Sequence, residues 1–316
     1  MFLIHLLSLS LEFGFESGPV PSLDRKLNVA VLYSGRWYGL KTRPWIDNHV
    51  EKLIKPNLEV ASFSIFLTVS PDQWYNPEPL PSGWDSLNSL LQAQVRTSFA
   101  PYRTESELVT YDGIKPYMDT ILSRMRKAAM HNGAKPGEAS AYKLGQMTGS
   151  YTKQFYNVAL TEALRRRSGE YHDIIVRARV DILHMSAASI LPLWSNIVLK
   201  RNILFASEYP HSNIMGKLNV TYWTERTFVA SDVGMAAVAG MVTSGLVLHN
   251  SSARCHLFCP EEQTGAQLLR AGMELRPLPW KMSIAPIRMK SYNSAPSGAP
   301  WKAGTKNKLW YFLVSR

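Results

Sequence analysis

Three charged residues at alternate positions are the clearest candidates for chemistry in this sequence. Arg177, Arg179 and Asp181 follow a short β-branched apolar run, Ile174–Val176, that is typical of a strand buried on both faces. In an extended strand this spacing places all three side chains on one face. Two guanidiniums and a carboxylate at the end of a buried strand are costly without a charged partner. Because ligands of open α/β sheets bind outside the carboxyl ends of the strands, the spacing favours a site for a phosphate-bearing ligand.

A second interpretation of these charges is open. Arg177, Arg179 and Asp181 would also suit a salt-bridge cluster that ties the end of the strand to a neighbouring helix. The charge pattern alone favours neither interpretation over the other.

The end of the first predicted strand is another candidate for phosphate binding. Residues 27–33 form an apolar run that predicts a strand, and Ser34, Gly35 and Arg36 end it. Gly35 permits a close approach of the backbone to a ligand, and the Arg36 guanidinium suits a phosphate. An ordinary turn explains the same residues, since many strands end in Ser-Gly.

Alternating strand and helix patterns predict how the chain positions these residues. Strands at 27–33, 63–67 and 173–180 are separated by helical patterns, and the first two form a β-α-β unit with the helix between them. This order indicates one Rossmann-like α/β domain with a mostly parallel central sheet and helices on both faces. We expect the domain to span 27–290, with a basic C-terminal tail at 291–316.

Length, composition and charge favour a globular protein with an anionic partner. The chain has 316 residues, of which 46% are hydrophobic and 19% charged, a balance that excludes wholesale disorder. The formal net charge of +11 favours a nucleotide, a nucleic acid or an anionic membrane surface as partner. The basic residues are mostly scattered rather than interleaved with aromatic residues, which argues against a nucleic-acid groove.

The sequence offers little for a structural metal. Cys255 and Cys259 are the two cysteines of the chain, and a zinc site needs more ligands than this pair provides. Two buried thiols or, in an oxidising compartment, a disulfide would account for them. His49 lies in the apolar stripe of a predicted helix, so we expect it to pack in the core rather than to bind a ligand.

The N-terminal segment at 1–26 bears on the compartment. Its first residues, Met1–Leu11, are apolar and about as long as the core of a signal peptide, but they lack a basic start and are too short to span a bilayer. Glycosylation sequons begin at Asn219 and Asn250 and suit a secretory route. We expect the secretory pathway, in particular the Golgi, with weak membrane association through the N-terminus. A cytoplasmic location is the alternative.

Taken in order, these pieces resemble nucleotide-sugar glycosyltransferases of the GT-A type, especially little-characterised glycosyltransferase-like and polysaccharide-synthesis families. The resemblance spans residues 27–280, and its sharpest part is the Arg-x-Arg-x-Asp pattern at 177–181. The other pieces that carry it are, in chain order, the end of the first strand at Leu32–Arg36, His49 with Leu53–Asn57, the Phe-x-Ile-Phe run at 63–66, the helix with Gln154, the later Val229–Asp232 and the helix that starts at Pro260 and Glu261.

The resemblance implies transfer of a sugar from a nucleotide-sugar donor to a hydroxyl group of a glycan or protein acceptor. Such enzymes commonly hold the donor diphosphate through an Asp-x-Asp motif and a divalent metal. Here Arg179 stands in place of the first carboxylate, which leaves Asp181 as the expected ligand of Mg²⁺ or Mn²⁺. Direct neutralisation of the diphosphate by arginines, without a metal, is the alternative.

The implied displacement needs groups that neutralise the leaving phosphate and a base that deprotonates the acceptor. We expect donor binding by Ser34, Gly35, Arg36, Arg177, Arg179 and Asp181. Asp232 and Glu261, each at a loop-to-helix start, are the candidate bases, although helix capping explains either of them. A non-catalytic protein that binds a glycan or a nucleotide on the same fold is the alternative function.

Overall fold

A seven-stranded mixed sheet lies at the centre of the part of the chain that the structure describes. The computed structural model describes residues 25–37, 43–71, 84–109, 141–180, 182–209, 222–244 and 260–284. The strands are β1 Leu27–Trp37, β2 Ala61–Pro71, β3 Arg103–Leu108, β4 Ile174–Arg179, β5 Ile182–His184, β6 Ile203–Tyr209, β7 Tyr222–Ala230, β8 Glu274–Pro277 and β9 Met282–Ile284. Strands β5 and β9 form a small antiparallel sheet of their own.

Helices separate most of the strands. They are α1 Arg43–His49, α2 Trp84–Phe99, α3 Ala141–Arg167, α4 Leu191–Leu199, α5 Asp232–Ser244 and α6 Pro260–Arg270. Helix α1 continues through a π-helical turn at Val50–Ile54 and a 3-10 turn at Lys55–Asn57. Pro56 lies in that last turn, where its missing N–H prevents a regular α-helix from continuing into β2.

The strand order reverses between β1 and β4. Across the sheet the order is β3-β2-β1-β4-β7-β6-β8. Strands β1 to β4 are parallel, whereas β7 is antiparallel to both of its neighbours, β4 and β6. The chain therefore moves outward from β1 to β3 and then returns to place β4 on the other side of β1. In open α/β sheets, ligands bind at such a reversal, outside the carboxyl ends of the strands.

Both faces of the sheet are covered by helices. Val29, Val31 and Tyr33 of β1 pack on one face with residues of α1, α2 and α4. Ala30 and Leu32 pack on the opposite face with residues of α3, α5 and α6. Each large apolar side chain buried in this way contributes about 1.5–3 kcal/mol to folding. The predicted mostly parallel α/β sheet with helices on both faces is confirmed.

The Ile174–Val176 run forms a strand that is buried on both faces, as its sequence predicted. Ile174, Ile175 and Val176 have no exposed surface, and β4 is an interior strand with β1 on one side and β7 on the other. The β-branched residues fill both faces of a pleated strand, which is why the run contains no alternating polar residue.

Some predictions concern residues outside the described part of the chain. The C-terminal tail and all but the last residues of the N-terminal segment lie there, as do Cys255, Cys259, Asn219 and Asn250. Among the helices that the structure describes, none is long and apolar enough to cross a membrane.

Candidate functional site

Ser34 and Arg179 lie side by side at the carboxyl edge of the sheet. In the parallel pairing of β1 with β4, Ser34 is opposite Arg179, and Leu32 is opposite Arg177. Strand β4 ends at Arg179, whereas β1 continues beside β2 to Trp37, so the strand end predicted at Ser34–Arg36 lies within β1. We use the term crevice for the region outside these strands where the strand order reverses. The Arg179 side chain is half-buried there. The backbone pairing therefore brings Ser34 and Arg179 together.

Arg177 lies one pleat below this edge and is fully buried. Its Nη2 atom donates a hydrogen bond of 3.2 Å to Ser34 Oγ. Its Cζ atom lies 5.9 Å from the centre of the Phe228 ring, which β7 brings directly opposite Arg177. Because Arg177 has no exposed surface, it does not line the crevice. It fixes the position of the Ser34 hydroxyl through this hydrogen bond. Ser34 is itself only 1% exposed, so the buried positions of both residues differ from the direct donor contact that the sequence suggested.

Gly35 allows β1 to approach the end of β4 closely. Its φ is +149°, a value that residues with a side chain rarely adopt. A Cβ atom at this position would lie 2.9 Å from Val180 Cγ2, which is too close for a real contact. Backbone conformation and space therefore both require glycine at the edge of the crevice.

Three of the predicted site residues have side chains outside the described part of the chain: Arg36, Asp181 and Glu261. The backbone of Arg36 pairs with Ser70 of β2 at the carboxyl edge. Asp181 follows Val180 directly in the sequence, and Glu261 belongs to the first turn of α6. Their roles in donor binding, metal binding and catalysis stay predictions.

Asp232 lies at the other edge of the sheet, away from Arg179. Strand β7 runs antiparallel to β4, with Ala230 opposite Ile175 near the start of β4. Asp232 follows two residues later and forms an ion pair with Arg165 at the end of α3. The sequence indicated a helix start at Asp232 but not the direction of the preceding strand, and that direction separates Asp232 from the crevice.

A buried ionic cluster occupies this amino edge of the sheet. Arg165 makes two hydrogen bonds to Glu162, of 2.8 and 2.7 Å, and both side chains are buried. Arg166 donates to the same carboxylate at 2.7 Å. Burial, together with the nearby Arg165 charge, lowers the pKa of His172. The structure thus forms a salt-bridge cluster at the beginning of β4. The alternative expectation of such a cluster at the end of β4 stays a prediction, because Asp181 lies outside the described residues.

His49 links β1 to β5. The hydroxyl of Tyr33 and His49 Nδ1 are 3.0 Å apart, and His49 Nε2 lies 2.7 Å from the carbonyl oxygen of Ile182. The Ile182 carbonyl can only accept, so Nε2 carries the imidazole hydrogen and donates to it. Burial lowers the pKa of His49, so Nδ1 of the neutral ring accepts a hydrogen bond from the Tyr33 hydroxyl, whose pKa burial raises. His49 is fully buried, as predicted for a core histidine, but it is bonded at both nitrogens.

His184 is a buried histidine that the sequence did not single out. Its ring lies 4.6 Å from that of His49 and 5.6 Å from that of Trp280, between centres. Neither ring nitrogen has a hydrogen-bond partner among the described residues. Burial lowers its pKa to about 4, so the ring is neutral at physiological pH. No pattern in the short β5 strand pointed to this position.

The described residues contain no group of three or more histidine, cysteine or acidic side chains that could hold a metal ion. Asp181, the expected ligand, lies outside them. A single carboxylate suits Mg²⁺ or Mn²⁺ bound mainly through phosphate oxygens and water, and not a metal held by protein ligands alone.

Comparison with known proteins gives no family for this chain. No protein-family model matches the sequence, and no curated protein matches it.

Proposed function

We propose that the protein is a glycosyltransferase that moves a sugar from a nucleotide-sugar donor to a hydroxyl group of a glycan or protein acceptor. The observation that carries this proposal is the pairing of Ser34 with Arg179 at the reversal of strand order between β1 and β4. That reversal is where open α/β sheets bind nucleotide ligands.

Arg179 is the residue at this edge that suits a diphosphate. Ser34 is buried and accepts a hydrogen bond from Arg177, and Val180 fills the space beside Gly35, so the direct contact with the diphosphate falls to Arg179. The planar guanidinium of Arg179 matches two phosphate oxygens at once. A net charge of +11 over the whole chain favours the approach of an anionic donor.

The proposed reaction is a displacement at the anomeric carbon of the donor sugar. The bond from that carbon to the diphosphate oxygen breaks, and a bond to the acceptor oxygen forms. Arg179 neutralises the charge that develops on the leaving phosphate. The acceptor proton passes to a base, for which Glu261 remains the candidate because Asp232 lies at the far edge of the sheet. A divalent cation held by Asp181 would add to the charge neutralisation when bound.

A donor panel tests this function. The full-length protein is incubated with UDP-, GDP- and CMP-linked sugars, with and without Mn²⁺, and nucleotide release and acceptor mass are followed by mass spectrometry. We expect one class of donor to bind and be consumed. Binding without turnover would favour the non-catalytic alternative, and absence of binding by any donor would overturn the proposal.

Two arginine variants localise the donor. Arg179→Lys keeps the positive charge but loses the planar fork, so we expect donor affinity to fall by about tenfold. Arg25→Lys is the matched control, because Arg25 makes a paired contact with Asp173, with both distances 2.8 Å, at the opposite edge of the same strands. We expect this control to leave donor affinity unchanged.

A further inference from the structure

We propose that Asn48 and His49, which lie at the end of α1 and are not among the predicted donor-binding residues, are positioning residues of the donor site. They hold β5, which directly follows the Arg-x-Arg-x-Asp pattern at 177–181, at a fixed distance from β1. This role rests on the proposed donor site between β1 and β4.

The first tether is the chain of hydrogen bonds through His49. Tyr33 lies one residue before Ser34 on β1, and Ile182 is the first residue of β5. His49 joins them through contacts of 3.0 Å to the Tyr33 hydroxyl and 2.7 Å to the Ile182 carbonyl oxygen. All three residues are fully buried, so water does not compete for these bonds.

The second tether is the side-chain amide of Asn48. Its Nδ2 donates to the carbonyl oxygen of His184 at 3.0 Å, and the backbone N–H of His184 donates to Asn48 Oδ1 at 2.8 Å. The amide thus pairs with β5 on one side as a neighbouring strand would, while β9 pairs with β5 on the other. A three-residue strand paired only with β9 would be marginally stable.

The contacts of His49 and Asn48 matter because they fix the chain next to Asp181, the expected metal ligand. Val180 is in contact range of Gly35, so the chain is fixed to β1 just before Asp181. Ile182 is fixed to His49 just after it. The two residues next to Asp181 in the sequence are therefore held by different elements, and a shift of β5 would change the spacing of the groups that meet the diphosphate. Displacements of about 1 Å in such groups reduce activity by about 100-fold.

Asn57 provides a control, because it makes similar buried hydrogen bonds to residues that lie beyond β5. It is buried, donates to Leu53 and Ala188 at 2.6 and 2.7 Å, and accepts from the Ile190 amide at 3.0 Å. It ties the same segment to the continuation of α1, but several residues beyond β5. Asn57→Ala should therefore lower stability at least as much as a change at Asn48 or His49 without moving β5.

The experiment compares donor affinity, thermal stability and hydrogen–deuterium exchange in four variants of the full chain. His49→Leu removes both contacts of the imidazole, whereas His49→Gln keeps an N–H that can reach Ile182. We expect about tenfold weaker donor binding and faster exchange in β5 for His49→Leu, with substantial recovery in His49→Gln. Asn48→Ala should match His49→Leu in both measurements, and it serves if His49→Leu does not fold. Asn57→Ala should lower the melting temperature alone.

The outcomes separate this role from the proposed function. Failure of the unaltered protein to bind any nucleotide sugar would overturn the function itself. Normal donor affinity in His49→Leu and Asn48→Ala, next to a functional unaltered protein, would overturn only the positioning role. Equal loss of affinity in Asn57→Ala would do the same, because it would show a general effect of stability.

Discussion

Arg177 donates from Nη2 to Ser34 Oγ at 3.2 Å, so a buried charge on β4 supports a hydroxyl on β1. Because Ser34 accepts this hydrogen bond, its own hydrogen is directed away from Arg177. Phe228 packs beside the guanidinium from β7. The contact therefore ties together the two strands that border the crevice and fixes the direction in which the serine can donate.

Replacing this serine should affect stability as well as binding. Ser34→Ala removes a hydrogen-bond acceptor from a buried guanidinium, so we expect the free energy of unfolding to fall by about 1–3 kcal/mol. Urea denaturation measures this change. Ser62→Ala is the control, since Ser62 on β2 is exposed and should change the free energy by less than about 0.5 kcal/mol. Equal effects in the two variants would mean that the Arg177–Ser34 hydrogen bond contributes no more to the free energy of unfolding than a hydrogen bond at the surface.

Gly35 should tolerate no side chain. Gly35→Ala combines a φ of +149° with a Cβ only 2.9 Å from Val180 Cγ2. We expect a loss of about 2–4 kcal/mol in the free energy of unfolding, from backbone strain and the clash together. Differential scanning calorimetry or urea denaturation provides the measurement.

Two further substitutions separate these causes. Val180→Ala in the Gly35→Ala background removes the clash but not the strain, so it should restore part of the lost stability. Gly240→Ala lies in α5 with no atom within 4 Å of the new Cβ, and we expect it to be neutral or stabilising by about 0.5–1 kcal/mol. No recovery in the double variant would show that backbone conformation alone accounts for the effect.

Mild acid should destabilise the protein through its buried histidines. Burial lowers the pKa of His184 to about 4, and burial with the nearby His184 lowers that of His49 well below its ordinary value. The unfolded chain therefore binds more protons, so stability is fully present above about pH 6.5 and is lost as the pH falls towards 4. For His184 alone we expect a loss of about 2 kcal/mol between pH 7.5 and pH 5.

Urea denaturation at pH 7.5, 6 and 5 tests this dependence. His184→Phe keeps an aromatic ring between His49 and Trp280 but cannot be protonated, so its stability should depend less on pH than that of the unaltered protein. An identical pH dependence in both proteins would assign the acid sensitivity to other groups.

The sequence predicted what depends on short-range pattern. The apolar run Ile174–Val176 indicated a doubly buried strand, because a pleated strand with two covered faces needs apolar residues at every position. The sequence also indicated that the strands at 27–33 and 173–180 lie in one mostly parallel sheet, but not that β1 continues past Ser34 to Trp37.

The sequence could not predict what depends on the direction of a distant strand. The pattern before Asp232 indicates a strand and a helix start whichever way the strand runs, and the antiparallel direction of β7 places this residue at the amino edge. The contacts of His49 are equally invisible, since its partner Ile182 is 133 residues away. Helical periodicity predicted that His49 is buried but not which atoms it bonds.

Asp181 should matter for donor binding and little for folding. Asp181→Asn preserves the shape and removes the charge, so if this residue holds a divalent cation, turnover should fall by about 100-fold or more while the melting temperature is kept. Addition of EDTA to the unaltered protein should have the same effect, and Mn²⁺ should reverse it. Full turnover in EDTA would assign the neutralisation of the diphosphate to arginine alone.

Glu162 and Asp232 should contribute to stability and not to donor binding. Arg165 and Glu162 have side chains only 4% and 3% exposed, whereas that of Asp232 is 41% exposed. Glu162→Gln leaves the buried guanidinium with a neutral main partner, and we expect a loss of about 3 kcal/mol. Asp232→Asn removes a partner that water already screens, and we expect about 1 kcal/mol or less.

Donor affinity and turnover decide whether this edge of the sheet takes part in the reaction. Both variants change charges at the beginning of β4, and the crevice lies at its other end, so affinity and turnover per folded molecule should equal those of the unaltered protein. A large loss of turnover in Asp232→Asn, with the melting temperature and donor affinity unchanged, would contradict this expectation. It would mean that the carboxylate leaves Arg165 and reaches the acceptor in the working enzyme, which would restore Asp232 as the candidate base.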